Sequence, residues 1–308
     1  LVRYTPILDT TTGWTPKYRE MLVFSLPLMA TTGLSFILGN TDTLMLQYFK
    51  GSVDVGVYDI GYTIAQMLSV GLGSLSYLFL PNISDLHAEG EWAQITHLYK
   101  LVTKWIAFVT VPPYLLVTYF PERIISIFGS EYVDGSIYMI ILASSYFVMA
   151  VSGPNKRALS AFGDTRYILY VNVFTAGLNV VLNLVLILTI GTIGAAIAST
   201  VSLVAVHVLY CYRLYSGYDI TPFSWSLVRP LVPYLLTTGV IYVVVRNTVG
   251  RPSLAGVVGL VALAAVVYGV AILSLGGLQE EDVMLVRSAE QSLGVNLEPV
   301  KRIARQFM

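Results

Sequence analysis

An aspartate lies inside a long apolar run near the start of the chain, where its side chain can do chemistry. The segment "ILGNTDTLMLQYF" places Asp42 directly after residues 21–41, which carry no charge. An ionisable side chain at membrane depth is costly, and where it occurs it usually lines a path for a proton, an ion or a polar substrate. The alternative is that Asp42 lies close enough to the end of its helix to reach the interface. The segment alone leaves both interpretations open.

Polar and small side chains recur in three apolar segments at steps of three or four residues, a spacing that puts them on one face of a helix. Because an unpartnered polar group in hydrocarbon is expensive, we expect the three faces to meet around a cavity that receives a polar substrate. Small and polar residues also hold membrane helices together, and that alternative stays open, above all for the third segment. The three faces consist of Thr31, Ser35, Gly39 and Asp42 in the first segment, Asp59, Tyr62, Gln66, Ser69, Gly73 and Tyr77 in the second, and Asn172, Ala176, Asn179 and Asn183 in the third. The predicted cavity residues are Thr31, Ser35, Asp42, Asp59, Tyr62, Gln66, Asn172, Asn179 and Asn183.

Two adjacent cations follow a proline in the segment "VSGPNKRALSAFG". Arg157 can bind a phosphate through two parallel hydrogen bonds, and Lys156 can act as a point charge beside it. We therefore predict that this pair contacts a phosphate, with the alternative that the two long side chains only anchor a helix end at the headgroups. We expect His207 to be packed in the interior, with a role as a proton relay as the alternative.

The chain carries no constellation typical of catalysis or of a bound metal. It has a single cysteine, Cys211, and its three histidines show no metal-ligand spacing. It has no glycine-rich phosphate loop, no nucleophile motif and no connecting segment long enough to build an active site. We therefore expect no enzyme activity, no cofactor and no metal. A net charge of zero without a basic block argues against nucleic acid.

The elements that must position these residues are transmembrane helices. Hydrophobic residues make up 56% of the chain, charged residues make up 12%, and the mean hydropathy is +0.71. A soluble fold of 308 residues cannot bury so much apolar surface, and a bilayer core needs about 20 helical residues for each span. The sequence predicts an all-α, polytopic transmembrane bundle. Its eight predicted spans lie at 22–48, 55–82, 98–120, 135–162, 165–190, 192–215, 229–247 and 254–276.

Charge placement predicts the orientation of the bundle. If the residues before the first span are cytoplasmic, only Lys50, Arg123, Arg246 and Arg251 fall outside, and the other Lys and Arg residues fall inside. Both ends of this piece are then cytoplasmic. The tail is expected to be amphipathic and to bind the anionic inner leaflet, with a disordered end as the alternative. The expected domains are a cytoplasmic entry segment at 1–20, a six-helix lobe at 21–217, two additional transmembrane helices at 218–276 and the cytoplasmic tail at 277–308.

The order of several segments resembles one known group of membrane proteins. The stretch "SLPLMATTGLSFILGNTDTLMLQYF" is similar to the opening of a lobe in polysaccharide-export and lipid-linked oligosaccharide flippases. The segments "LFLPNISDLHAEGE", "LSAFGDTRYILYVNVFTAGLNVVLNLVLI" and "GTIGAAIASTVS" then follow in the order expected for that lobe. Over residues 20–215 the chain therefore resembles these flippases of the MATE-like (multidrug/oligosaccharidyl-lipid/polysaccharide) superfamily.

The resemblance implies the second of two six-helix lobes, followed by an extra pair of helices. We then expect a first lobe that precedes Leu1 or is supplied by a second chain. The implied protein lies in the cytoplasmic membrane among membrane lipids and moves a lipid-linked oligosaccharide or polysaccharide precursor by alternating access. By the same resemblance, Asp42 and the first two polar faces line the cavity, and the cytoplasmic-side cations meet the pyrophosphate.

Three other interpretations remain beside the flippase. One is an ion-coupled multidrug or cation antiporter of the same superfamily, which would have a smaller cavity. Another is a membrane-embedded glycan polymerase or ligase, although such enzymes typically need a longer loop outside the membrane than this sequence predicts. The third is a purely structural or degraded gene product.

Overall fold

Every element that the computed structural model describes is a helix, as the composition predicts. The structure describes residues 39–248 and 253–274, and within these ranges there is no strand. The described residues from Asp42 onward pack as one unit, to which all contacts below belong. Short 3-10 turns at Met67–Ser69 and Ser130–Gly135 precede the third and sixth helices. The helices are α1 (Thr41–Phe49), α2 (Ser52–Gln66), α3 (Val70–Glu89), α4 (Trp92–Tyr119), α5 (Pro121–Ile125), α6 (Ser136–Val151), α7 (Asn155–Ala161), α8 (Thr165–Ile190), α9 (Thr192–Tyr218), α10 (Trp225–Thr248) and α11 (Leu254–Ser274).

Several of these helices are long and apolar enough to cross a membrane. Within the described ranges there are five, namely α4, α6 with its leading turn, α8, α9 and α10. The number rises to six if the bent pair Ser52–Ser76 and Phe79–Glu89, with 45° between its halves, is one span. Pro81 lies just after that bend, where a proline removes a helical hydrogen bond. The chain is thus a multi-pass, all-α membrane protein, while the count of eight spans stays a prediction.

The described helices end at the turn segments of the sequence. The break between α1 and α2 falls in "FKGSVD", the break between α4 and α5 falls at Phe120 in "YFPERI", and the break between α7 and α8 falls in "FGDTR". The last four residues of "YFPERI" form most of the short helix α5. These boundaries confirm the predicted turns. Most of the first predicted span and the whole predicted tail at 277–308 lie outside the described residues.

The predicted single span at 135–162 is wrong, because the segment 152–154 divides it into α6 and α7. Gly153 adopts a φ of +69°, and a Cβ atom there would collide with the side chain of Thr103 on α4. Glycine adopts this backbone conformation at the least cost, and Pro154 has no N–H to continue a helix. The break therefore sets the direction of the short helix α7 independently of α6.

Three clusters of buried side chains hold the bundle together. The first joins α2, α6 and α9, the second joins α3, α4 and α7, and the third joins α4 to α10 and α11. In contrast, α8 exposes apolar side chains such as Leu169, Leu184 and Leu188, which suit contact with lipid. Large buried side chains of the three clusters include Tyr58 and Met139, Phe79 and Tyr99, and Tyr234 and Phe108.

Candidate functional site

The carboxylate of Asp42 is buried, with 5% of the residue exposed, and it accepts hydrogen bonds from three protein groups. Tyr58 Oη on α2 donates to Oδ2 at 2.6 Å, and Ser199 Oγ on α9 donates to the same oxygen at 2.9 Å. The backbone N–H of Thr43 donates to Oδ1 at 2.9 Å. A buried carboxylate requires such donors, because it has lost its water. Asp42 is therefore held by polar partners within the bundle and does not depend on the interface.

Asp59 lies next to this network but is exposed. Its Oδ1 accepts a hydrogen bond from Thr43 Oγ1 at 3.2 Å, so Thr43 connects the two aspartates. Tyr62, one turn further along α2, is half-buried and stacks on Tyr58 with ring centroids 6.2 Å apart. Gln66 follows on the same helix and is exposed. Asp59 and Gln66 on the second predicted face are therefore exposed, whereas Asp42 is buried.

The asparagines of the third predicted face divide between two environments. Asn183 is fully buried and donates from Nδ2 to the backbone oxygen and to Oδ1 of Asn179, both at 3.0 Å. Asn179 Nδ2 in turn lies 3.5 Å from Ser199 Oγ, which leads on to Asp42. Asn183 Oδ1 accepts no hydrogen bond in the described part of the chain. Asn172, about two turns before Asn179, is exposed and belongs to a different site.

That site is a cavity of about 670 Å³, here called the Lys156 cavity. It combines the two adjacent cations on α7 with Asn172 on α8 and with Ser69 and Gly73 from the second predicted face. Asp42, Asp59, Tyr62, Gln66, Asn179 and Asn183 do not line it. Its lining residues are Ser69, Leu72, Gly73, Ser76, Leu80, Met149, Gly153, Pro154, Asn155, Lys156, Arg157, Ser160, Asn172, Leu203, Val206, His207 and Tyr210.

The predicted residues therefore fall into two groups, with Asp42 at the centre of one and Lys156 at the centre of the other. The Lys156 cavity brings together members of the second and third polar faces, and a cavity shared by all three faces stays a prediction. Two of the predicted residues, Thr31 and Ser35, lie outside those residues.

The start of α7 is held in place by a buried amide. Asn155 is 1% exposed, and its Nδ2 lies 3.1 Å from Nδ1 and 3.5 Å from the backbone oxygen of His207 on α9. Its Oδ1 accepts a hydrogen bond from the backbone N–H of Lys156 at 2.7 Å. At the end of α6, Tyr99 Oη on α4 donates to the backbone oxygen of Ser152 at 2.6 Å. These contacts fix the backbone beneath the exposed side chain of Lys156, and they confirm that His207 is packed in the interior.

The sequence interpretation missed several residues that shape these sites. Tyr58 was overlooked because it lies off the predicted polar face, although it precedes Tyr62 by one helical turn. Asn155 had a signal of its own, since asparagine is favoured where a helix begins. Ser199 and Tyr210, which contact Asp42 and Asn172 respectively, had no signal beyond a polar group in an apolar helix.

A charged cluster joins the start of α8 to the end of α9. Arg213 donates from Nε to Asp164 Oδ2 at 2.8 Å and from Nη2 to Oδ1 at 3.1 Å. Tyr218 Oη also donates to Asp164 Oδ2, at 2.8 Å. The hydrogen bonds from Arg213, with the one from Tyr218, lower the pKa of Asp164 below its ordinary value, against the opposing effect of partial burial. In the described ranges no group of three His, Cys, Asp or Glu side chains is arranged to hold a metal.

Residues 27–185 match the MatE family, which is more than half of the chain. The chain belongs to the MatE family. Its relatives include the Probable low-salt glycan biosynthesis flippase Agl15 of Haloferax volcanii, which is 25% identical over 62% of this chain and 42% of the relative. The Capsular polysaccharide biosynthesis protein CapF of Staphylococcus aureus is 22% identical over 64% of this chain and 50% of the relative.

An uncharacterized membrane protein of Methanocaldococcus jannaschii, MJ1375, is 24% identical over 63% of this chain and 46% of the relative. The chain spans about half the length of the curated relatives it matches. Membership of the MatE family agrees with the resemblance noted from the sequence.

Proposed function

We propose that this chain forms one wall of a flippase that moves a lipid-linked oligosaccharide or polysaccharide precursor across the cytoplasmic membrane by alternating access. The observation that carries the proposal is the Lys156 cavity, where two cations lie among hydroxyl and amide groups. The names of the relatives from Haloferax volcanii and Staphylococcus aureus support a glycan as the cargo.

The charge of the Lys156 cavity suits a phosphate. Lys156 and Arg157 both line it, and no Asp or Glu is among the described residues that do so. A lipid-linked glycan is joined to its lipid through phosphate, and a guanidinium beside an ammonium group can bind phosphate oxygens. In the predicted orientation this end of α7 is cytoplasmic, so the cavity would receive the phosphate from the inner leaflet.

The uncharged groups of the cavity suit the remainder of such a substrate. Tyr210 Oη donates to Asn172 Oδ1 at 2.8 Å, which leaves the amide N–H groups of exposed Asn172 to donate to a sugar hydroxyl. Ser76 and Ser160 add two hydroxyls to the lining. The apolar side chain of Leu80 also lines the cavity and suits contact with the part of the lipid nearest the phosphate.

The second predicted face completes the wall in this proposal. The exposed side chains of Asp59 and Gln66 and the half-buried Tyr62 would face the passage. The opposite wall would come from a further segment of the parent protein or from a second chain. The curated relatives, which are about twice as long as the matched part, support that arrangement.

An ion-coupled antiporter is the second candidate, and the buried carboxylate of Asp42 is the observation that favours it. Asp42 contacts Tyr58 and Ser199, and a change in its protonation would rearrange contacts among α1, α2 and α9. Such a step can also couple a flippase to an ion gradient. The positive Lys156 cavity would repel the cationic drugs that many antiporters carry, so we prefer the glycan.

The experiment is a flipping assay on the protein that contains this chain, reconstituted in vesicles with a fluorescent lipid-linked oligosaccharide. The variant Lys156→Gln with Arg157→Gln removes both charges, and we expect the rate to fall about 10-fold or more, since charged hydrogen bonds contribute about 1.5–3 kcal/mol each. The matched control is Arg229→Gln, an exposed cation at the start of α10 that lines no cavity described here.

Two results would count against the proposal. One is a double variant that flips the glycan lipid at the wild-type rate. The other is transport of a fluorescent cationic drug without any movement of the glycan lipid, which would assign the protein to the antiporters.

A further inference from the structure

A second cavity lies at the opposite end of α6 from the Lys156 cavity. It measures about 470 Å³ and is formed where α4 and α10 end and α5 begins. Two arginines, one glutamate and two tyrosines give it a polar lining, and we call it the Arg246 cavity. The lining residues are Thr118, Tyr119, Phe120, Pro121, Glu122, Arg123, Ile140, Tyr242, Val245 and Arg246.

Stacked aromatic rings position the guanidinium of Arg246. Its Nη1 donates to Tyr242 Oη at 3.2 Å, one helical turn earlier on α10. The ring of Tyr242 stacks on Tyr119 of α4, with centroids 4.6 Å apart and 12° between the planes, and meets Phe120 edge-on at 5.8 Å. A guanidinium has five N–H groups, and the hydrogen bonds described for Arg246 use one of them. The remaining N–H groups are available to an anion in the cavity.

A narrow apolar slot of about 40 Å³ lies beside this cavity, between α4, α10 and α11. The slot and the Arg246 cavity share Tyr119, Phe120 and Tyr242 in their linings. Along α10 the slot extends to Tyr234, about 12 Å from Tyr242 at the helical rise of about 1.5 Å per residue. A polar cavity beside an apolar slot suits a membrane lipid, which has a polar headgroup and apolar acyl chains.

The placement of charge gives a second, independent argument. In the predicted orientation, Arg123 and Arg246 are two of the four cations that fall on the outer side, against the general bias of the sequence. Both line the same cavity, and Glu122 leaves it with a net positive charge. Two guanidinium groups at a membrane edge suit the phosphate of an anionic headgroup.

We propose that the Arg246 cavity and the apolar slot together bind one anionic phospholipid of the bilayer. Its phosphate lies beside Arg246 and Arg123, and the start of one acyl chain enters the slot toward Tyr234. Bound there, the lipid joins α10 and α11 to the end of α4. This site is separate from the Lys156 cavity, and its test does not depend on the proposed transport activity.

The test measures lipid binding to the purified protein that contains this chain, after removal of native lipid in detergent. The probes are phosphatidylglycerol, phosphatidylcholine with the same acyl chains, and inorganic phosphate, and the readouts are native mass spectrometry and the thermal shift on titration. We expect phosphatidylglycerol to bind about 10-fold more tightly than phosphatidylcholine, and inorganic phosphate at equal concentration to give no shift.

Two variants examine the two parts of the site. Arg246→Gln removes an exposed charge and should weaken the binding of phosphatidylglycerol about 10-fold. Arg229→Gln, at the other end of α10, should leave that binding unchanged. Ala264→Phe fills the slot and should weaken the binding of phosphatidylglycerol even though Arg246 is intact. Equal binding of the two lipids, equal binding by the Arg246 and Arg229 variants, or displacement of phosphatidylglycerol by equimolar phosphate would each overturn the proposal.

Discussion

Tyr58 and Asp42 meet through a 2.6 Å hydrogen bond in the buried interior, although 16 positions separate them in the chain. The bond joins α1 to α2, and Ser199 adds α9 to the same oxygen. A charged acceptor makes such a bond stronger than one between neutral groups. The carboxylate of Asp42 therefore helps to hold α1, α2 and α9 together.

Removing the Tyr58 hydroxyl should destabilise the bundle. Tyr58→Phe keeps the buried ring but takes away a donor from a charged acceptor, which costs about 1.5–3 kcal/mol. We expect a lower midpoint of thermal unfolding in detergent. Tyr48→Phe is the control, because Tyr48 is 84% exposed and its substitution should leave the midpoint unchanged. Equal midpoints for the two variants would contradict the structural role of this bond.

Neutralising Asp42 should impair transport more than it impairs folding. Asp42→Asn keeps the shape of the side chain and an oxygen that can accept from Tyr58 or Ser199, but removes the charge. We expect a normal amount of protein in the membrane and a flipping rate reduced about 10-fold, in line with the value of a charged hydrogen bond. Asp85→Asn is the control and should leave the flipping rate unchanged, because Asp85 is exposed and lines neither the Lys156 cavity nor the Arg246 cavity. A wild-type rate in the Asp42 variant would show that its carboxylate has no role in transport.

The break between α6 and α7 allows a test with two matched glycines. Gly153 and Gly163 both have positive φ, but only at Gly153 would a Cβ meet another side chain, that of Thr103. Gly163→Ala should therefore lower the free energy of unfolding only by the backbone strain, about 1 kcal/mol, and Gly153→Ala should lower it by more. Adding Thr103→Ala should recover part of the difference in unfolding midpoint. If Gly153→Ala is no worse than Gly163→Ala, the contact with Thr103 does not restrict this position.

Asp164 should make the stability depend on pH in the acid range. Its pKa is lower in the folded state than the ordinary value of 3.8, so its ion pair with Arg213 stabilises the fold above that value and is lost as pH falls through the folded pKa. Asp164→Asn should lower the unfolding midpoint at pH 6, and the gap to wild type should narrow as the pH falls below 3.8 through the lowered pKa of Asp164. Because both side chains are partly exposed, we expect an effect of about 1 kcal/mol or less. A gap that stays constant over this pH range would exclude the ion pair as its cause.

Water should reach the open part of α2 but not the outer surface of α8. In a Cys211→Ser background, cysteines placed at Asp59 and Gln66 should react with a membrane-impermeant maleimide, because both positions are exposed and continue a polar face. A cysteine at Leu184 should not react, because that exposed surface is apolar and suits lipid. Labelling at Leu184 with protection at Asp59 and Gln66 would reverse the assignment of the two surfaces.

The helical bundle itself was predictable from local properties of the chain. Long uncharged runs, separated by segments such as "FKGSVD" and "FGDTR", form helices in a bilayer. A helix bonds every backbone N–H and C=O group within the segment, and lipid offers those groups no other partner. The break at Gly153 was not predictable, because it depends on the approach of Thr103, 50 positions earlier in the chain. An apolar run that contains Gly and Pro is compatible with a bent span as well as with two helices.

The sequence by itself determined that this is a polytopic, all-α membrane protein, and it singled out Asp42, Lys156 and Arg157 as costly groups in apolar surroundings. Composition and helical period are enough for these two conclusions, because they govern the free-energy cost of placing each segment in lipid. Only the tertiary structure decided which polar groups come together: it joined Asp42 to Tyr58 and Ser199 by hydrogen bonds, and it placed Lys156 and Asn172 in the lining of one cavity. Those pairings depend on the packing angles and rotation of helices distant in the chain, and a period of 3.6 residues specifies the face of a helix without specifying what lies opposite.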